Sequence, residues 1–403
     1  MINENNKHSW CVNADHAMSG DNTGTTKICC MTDDKTRSKS LLDSTIEENF
    51  NQEKFLEVRT ALASGERHDI CKLCWAEENS GRKSKRLRDN EKYLNHLQNG
   101  GKPFEGLAKF ELNLGNTCNL KCRTCAPHSS SQWIKEKFDI IETDAWKGDF
   151  KAYSNEMKKY HMTYDEDSVF WDDLEKNLHT IKQFDFYGGE PFMSKKMWRI
   201  LEICIDLDYA KDIELHYATN ATHWPEKQIE LFHHFRHVNL NFSIDGIGDQ
   251  FTYMRHPGKW EDASTNMNKA KDLQHTHHNI HISWCITVSL LNIFSISDVL
   301  EEHKNNYSSF GSYLNLVHSP EYFNIGIMPD DVKEQVIAKL ESIPRHHTDM
   351  WYHHLPGVIN FIRNGKHNSK LWEEFKQKIQ VHDIYRDEQY SKVFPDFAKI
   401  IGL

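Results

Sequence analysis

Residues 115–127, GNTCNLKCRTCAP, place Cys118, Cys122 and Cys125 within eight positions, in the spacing C-x-x-x-C-x-x-C. The alternating apolar residues Leu107, Phe110, Leu112 and Leu114 lead straight into them and read as a strand. Three thiolates on one short loop can hold three corners of a metal cluster. No fourth cysteine lies nearby in sequence, so one metal corner is left open. An open corner is a place for chemistry and not only a structural staple.

The other cysteines sharpen this. There are ten, at 11, 29, 30, 71, 74, 118, 122, 125, 204 and 285, and eight fall in the first third of the 403-residue chain. Clustering of that kind points to metal binding and not to a disulfide framework. Cys204 and Cys285 lie in the apolar contexts LEICIDL and ISWCITV and read as buried core thiols. Net charge is −10, which weighs against a non-specific nucleic-acid binder. The basic run GRKSKRLR (81–88) reads as a solvated face. The polar N-terminus lacks a secretory pattern, and the apolar stretch 282–296 is interrupted and too short to span a bilayer. A cytoplasmic protein with no membrane association is expected.

Along the chain, TTKI (25–28) suggests a short strand after a turn at SGDNTG. Residues 41–65 read as a helix burying Phe50, Phe55, Leu56, Val58 and Leu62, and 75–98 as a charged helix closed by NGGKP. Strands are predicted at 107–115, 181–187, 212–220, 238–246, 281–290 and 312–320, with helices between them at 195–207, 224–235, 256–275 and 296–306. Residues 128–180 exceed one crossover helix and include a helical insertion. Residues 321–403 read as helices at 330–342, 346–363, 369–380 and 387–399. Strands alternating with helices call for a parallel sheet with right-handed crossovers. Polar or Gly-rich residues close nearly every strand: the cysteine loop, GGE, TN, SIDG and NLVHSP. That edge of a parallel α/β sheet is where ligands bind.

The loop CNLKCRTC (118–125) followed by YGGEP (187–191) at the end of the next strand resembles the radical S-adenosylmethionine (SAM) superfamily, over about residues 107–320. The resemblance implies an α/β fold with a partial (β/α)6 TIM-like barrel. It also implies a [4Fe-4S] cluster on Cys118, Cys122 and Cys125, whose remaining iron chelates SAM. One electron from the reduced cluster then cleaves SAM to a 5′-deoxyadenosyl radical, which abstracts a substrate hydrogen. By matching motifs, Gly188, Gly189 and Glu190 meet the cofactor's amino group. Thr219 and Asn220 match polar residues after the third strand, and Ser243 and Asp245 match the S-x-D-G after the fourth. Arg255 matches an arginine that pairs with the cofactor carboxylate. Turn and capping residues at strand ends would look alike at these positions whatever the function. Thr124 stands where relatives carry an aromatic or methionine against the adenine, so the departure touches that contact and not the cluster.

Cys11, Gly24, Cys29 and the pair Cys71-x-x-Cys74 resemble the auxiliary-cluster module called SPASM or, when shortened, twitch. The implied second [4Fe-4S] cluster takes Cys11, Cys29, Cys71 and Cys74, with Cys30 as the alternative to Cys29. In most relatives this module follows the barrel; here it precedes it. A four-cysteine zinc site fits the same spacing. The histidine tract HTHHNIH (275–281) reads as a solvated linker. The expected organisation is an auxiliary module at 1–105, a radical SAM core at 106–320 with the insertion 128–180, and a C-terminal helical extension at 321–403. The expected activity is radical chemistry on a peptide, protein or small metabolite, with electrons from a flavodoxin or ferredoxin. The rival is a zinc-stabilised binding module without redox chemistry.

Overall fold

The structure is a computed structural model and describes residues 2–32, 39–142, 154–155, 157, 164–165, 168–344 and 353–403. The six strands expected between 107 and 320 form as β3 Lys109–Leu112, β4 Gln183–Phe186, β5 Glu214–Thr219, β6 His237–Ser243, β7 Ile280–Val288 and β8 Gly311–Leu316. They lie side by side in chain order in one sheet, as a (β/α) array requires. The pairs β3–β4, β4–β5 and β7–β8 are parallel, with Phe110 opposite Phe184 and Phe184 opposite Leu215. The chain is thus α/β with a mostly parallel sheet, and it ends in a helical segment.

Two strands precede the expected six: β1 Ala17–Gly20, parallel to β3, and β2 Thr26–Lys27, antiparallel to β1. The short strand expected at TTKI is β2. No sequence signal marked β1, because AMSG is neither β-branched nor alternating. It forms because all four positions are buried and its backbone continues the ladder, with Asn113 N donating to Gly20 O at 2.9 Å. A Cβ on Gly20 would fall 2.8 Å from the end of the Leu41 side chain, which would have to shift.

Several expected helices are broken. The segment 41–65 splits into Ile46–Phe50 and Glu53–Ala63, and Leu56 is 47% exposed, not buried. Thr45 opens the first piece with a capping box to Glu48. The segment 75–98 splits at Gly81, whose φ is +78°, into Lys72–Asn79 and Lys85–Gln98. In the insertion, Gln132–Glu142 and Val169–Asn177 are helical. The tail forms Asp330–Glu341, Leu355–Asn364, Ser369–Arg386, Tyr390–Val393 and Pro395–Ile401. The start of the helix expected at 346–363 lies outside the described residues. No helix among the described residues is long and apolar enough to cross a membrane.

The chain divides into two compact units. The first comprises Met1–Asn116, Glu156–Tyr217 and Pro225–Asn239. Its core is an aromatic column: Phe110, Phe184, Phe186 and Tyr217 in succession, with Phe192 and Phe232 against Tyr217, and Trp198 against both of them. The amphipathic helix Lys195–Asp206 supplies Trp198, Ile200, Leu201 and Cys204 to this core. The second comprises Thr117–Asn155, Ala218–Trp224 and Leu240–Leu403. There Trp284 packs on His303 and Tyr307, and Tyr253 on Tyr390 and Phe394.

Phe184 is fully buried in the middle of the first column. Phe184→Ala is expected to lower the stability of the apo chain by about 3–5 kcal/mol in urea unfolding.

Candidate cluster and cofactor site

The three-cysteine loop belongs to the second unit and is strapped to the segment that follows SIDG. Lys121 N donates to His256 O at 2.7 Å and Arg123 N to Met254 O at 2.8 Å. Trp133 Nε1 donates to Cys122 O at 3.0 Å, and Ser130 Oγ to Leu120 O. Cys118 and Cys122 are buried and Cys125 is half-buried. N–H groups are aimed at the sulfurs: Leu120 N at 3.4 Å and Asn220 Nδ2 at 3.8 Å from Cys118 Sγ, and Arg255 Nη1 at 3.9 Å from Cys122 Sγ.

Arg255 is anchored by Asp245, with Nη2 at 2.5 Å from Oδ2. Asp245 is buried and also accepts Thr287 N at 2.8 Å through Oδ1. Arg255 Nε is buried with no partner among the described residues. The hydrogen bond from the Cys125 thiol brings Cys122 down to about 7, against its burial and with help from Arg255. Cys125, whose proton serves that bond, stands well above its usual value. Soft sulfur donors met by N–H groups, with an unpaired guanidinium nitrogen beside them, suit an iron–sulfur cluster with an anionic ligand.

The other predicted cofactor residues divide between the units. In the second, Asn220 Nδ2 also bonds Asn119 Oδ1 at 2.9 Å, while its Oδ1 accepts Thr222 N at 2.8 Å. Thr219 Oγ1 accepts Ala221 N at 3.4 Å. Ser243 is half-buried at the end of β6, and Thr124 is half-buried in the loop. In the first unit, Gly188 and Gly189 have φ of +76° and +58°. A Cβ on Gly188 would lie 2.1 Å from the Asn113 amide, so the turn itself demands glycine there. Glu190 is buried, and its Oε1 accepts Phe192 N at 3.2 Å.

The N-terminal cysteines also lie in the first unit. Cys11, Cys29, Cys71 and Cys74 line one cavity, together with Lys85 and Arg86. Burial pushes Cys71 up to about 12 and Cys11 higher still, with Cys71 and Cys74 adding to the rise at Cys11. Buried thiols that share a cavity stay neutral unless a cation joins them. Cys30 is not part of the lining. Its N donates to Glu111 Oε2 at 2.7 Å and its Sγ to Glu111 Oε1 at 3.4 Å. Ligand atoms of Cys29, Cys30 and Glu111 nonetheless lie within 4.8 Å of one another.

Two sequence readings need correction. The run 81–88 is not a solvated face, because Arg82, Ser84 and Arg86 are buried. Carboxylates draw them in: Arg86 forks onto Glu78 at 2.9 and 2.7 Å, and Lys85 reaches Asp89 at 3.1 Å and Glu111 at 3.3 Å. Cys204 is a buried core thiol, but Cys285 is half-buried and bonded to the Tyr313 and Thr287 side chains, in the electrostatic reach of Asp245 and Arg255. Residues that sequence reasoning missed include Glu111, Lys85 and Arg123. Glu111 was hidden because alternation marks only its apolar neighbours.

Residues 112–284 match the model of the Radical SAM superfamily. The chain is 24% identical over 194 residues to the sporulation killing factor maturation protein SkfB of Bacillus subtilis (strain 168), which covers 48% of this chain and 39% of that one. The solved structure of native anSMEcpe with bound AdoMet is 17% identical, with TM-score 0.39, over 65% of this chain and 63% of that one. Streptococcus suis SuiB bound to precursor peptide SuiA is 12% identical, with TM-score 0.31, over 77% of this chain and 56% of that one. The chain therefore spans less than two thirds of the length of each of these relatives.

Asp245→Ala would leave Arg255 buried without its counter-charge. A loss of about 3–5 kcal/mol is expected in denaturant unfolding of the apo chain, with Asp245→Asn costing less.

Proposed function

The chain carries a radical SAM domain over residues 112–284, and from that premise we propose that it is a radical SAM enzyme acting on a peptide or protein side chain. The observation that carries the reading is the set of N–H donors on Cys118 and Cys122, from Asn220, Leu120 and Arg255. Cys118, Cys122 and Cys125 would hold a [4Fe-4S] cluster. When bound, cluster and SAM would supply a 5′-deoxyadenosyl radical for hydrogen-atom abstraction from the substrate.

The chain's own residues orient and neutralise. The free edge of Arg255 would meet the SAM carboxylate, held in place by Asp245. Glu190, at the Gly188–Gly189 turn, would meet the ammonium, which the glycines let approach the backbone. Thr219, Asn220 and Ser243 would line the remainder of the cofactor site. A peptide substrate is favoured over a small metabolite because SkfB is described as a maturation protein and SuiB has been solved with a precursor peptide. The electron donor would be a flavodoxin or ferredoxin.

Cys11, Cys29, Cys71 and Cys74 would fully ligate an auxiliary [4Fe-4S] cluster. What supports this is their shared cavity, and Cys29 is preferred to Cys30 because Cys30 is engaged by Glu111. The chain would comprise an N-terminal cysteine-rich module to 105, the core to 320, and helices beyond.

Anaerobic reconstitution should yield a brown protein with about eight irons and eight sulfides per chain, as two [4Fe-4S] clusters require. Cys71→Ala should reduce this to about four irons, whereas Cys30→Ala should leave it unchanged. Cys122→Ala should abolish dithionite-driven formation of 5′-deoxyadenosine. A colourless protein holding zinc would overturn the proposal in favour of a binding module.

A further inference from the structure

The end of the helix Ser369–Arg386 grips the cysteine loop through charges that no cofactor contact requires. Arg123, between Cys122 and Cys125, is 3% exposed. Its Nη2 lies 2.7 Å from Asp383 Oδ1 and 2.5 Å from Glu388 Oε2. Its guanidinium sits 3.7 Å over the ring of Tyr253, whose hydroxyl donates to the same Asp383 oxygen at 2.7 Å. Arg123 Nε also donates to Tyr253 O at 3.1 Å. The two carboxylates are fixed in turn. Asp383 Oδ2 accepts Tyr390 N at 2.6 Å, and Glu388 Oε1 meets His256 Nδ1 at 2.6 Å.

A second set of charges holds the neighbouring backbone. Glu136, 1% exposed, pairs with Arg386 Nε at 2.9 Å, His382 Nδ1 at 2.9 Å and Lys121 Nζ at 2.7 Å. Arg386 Nη2 donates to Lys121 O at 3.0 Å. Its guanidinium lies 4.8 Å from the ring of Trp133, and Trp133 Nε1 holds Cys122 O. The helix stops because Asp387 is left-handed, at φ +53°, and this turn returns Glu388 toward Arg123. Arg123 and Glu136 are buried, and Asp383 and Glu388 are only 14% and 16% exposed, so solvent replaces a lost partner incompletely.

We propose that the turn from His382 to Glu388 positions the three-cysteine loop for the reaction, with Arg123 as the side chain through which it acts. The proposal rests on reading Cys118, Cys122 and Cys125 as cluster ligands. Ligands on a short loop need outside contacts to keep their sulfurs in register while the metal changes charge. Asp383 and Glu388 supply those contacts. They also cancel the Arg123 charge beside the cluster, which disfavours the added electron and keeps the potential low.

The test uses the full chain, reconstituted anaerobically, with the SAM-perturbed electron paramagnetic resonance signal of the reduced cluster as readout. In the isosteric Asp383→Asn/Glu388→Gln variant, the midpoint potential of that signal should move positive. Iron release to a chelator should quicken by about tenfold or more. Arg123→Lys, which keeps the charge but not the fork, should fall between this variant and the wild type. Wild-type potential and release rate in the double variant would overturn the proposal. Should the double variant not fold, Glu388→Gln alone carries the test in the same direction. Cys122→Ala should lack the signal altogether. If it keeps the signal, the ligand reading fails, whereas loss of signal there with an unshifted double variant defeats only the positioning role.

Discussion

A thiol binds a metal as a thiolate, and a thiolate out of water needs positive charge or N–H groups against it. That constraint accounts for much of what surrounds the cysteines. Arg255 is buried at a cost that Asp245 offsets, and its other nitrogens are then free to face Cys122 and the space beside it. Asn220 faces Cys118 only because its own oxygen is occupied by Thr222. In the N-terminal cavity Lys85 and Arg86 line the walls with the four cysteines while their counter-ions, Asp89, Glu111 and Glu78, stand behind. Each site pairs cations in front with carboxylates that hold them.

The parallel ladder puts those groups where they are useful. In β3, Phe110 and Leu112 turn into the aromatic core, so Lys109, Glu111 and Asn113 must face the other way. Those three residues do distinct work. Lys109 and Glu111 enter the charge network of Lys85, Asp89 and Asp185, and Asn113 fills the space a side chain on Gly188 would need. One alternation therefore sets the core, the cavity's charge supply and the Gly-Gly turn.

The strand–helix array from 107 to 320 was legible because period-two and period-3.6 patterns, with polar residues at each strand end, are local signals. The cysteine spacing was legible for the same reason. What was not legible depends on partners far away in sequence. β1 exists because β3 offers an edge. Leu56 carries a helical spacing that suggested burial, but the helix breaks before it and turns it outward. The basic run 81–88 looked like surface until Glu78 and Glu111 were seen to absorb it. Arg123 carries no local signal, because its carboxylate partners lie some 260 residues downstream.

The position of β1 decides how the N-terminal cysteines are attached to the rest of the first unit. A module joined by a linker would be free to reorient. Here Ser19 is in register with Glu111 and Gly20 with Leu112, and Asn113 N bonds Gly20 O. Further along the same segment, the Cys30 backbone and thiol close on Glu111. The N-terminal cysteines are thereby tied by backbone ladder and side chain to the strand that leads into Cys118. The N-terminal segment is thus part of the sheet itself, with β1 lying between β2 and β3.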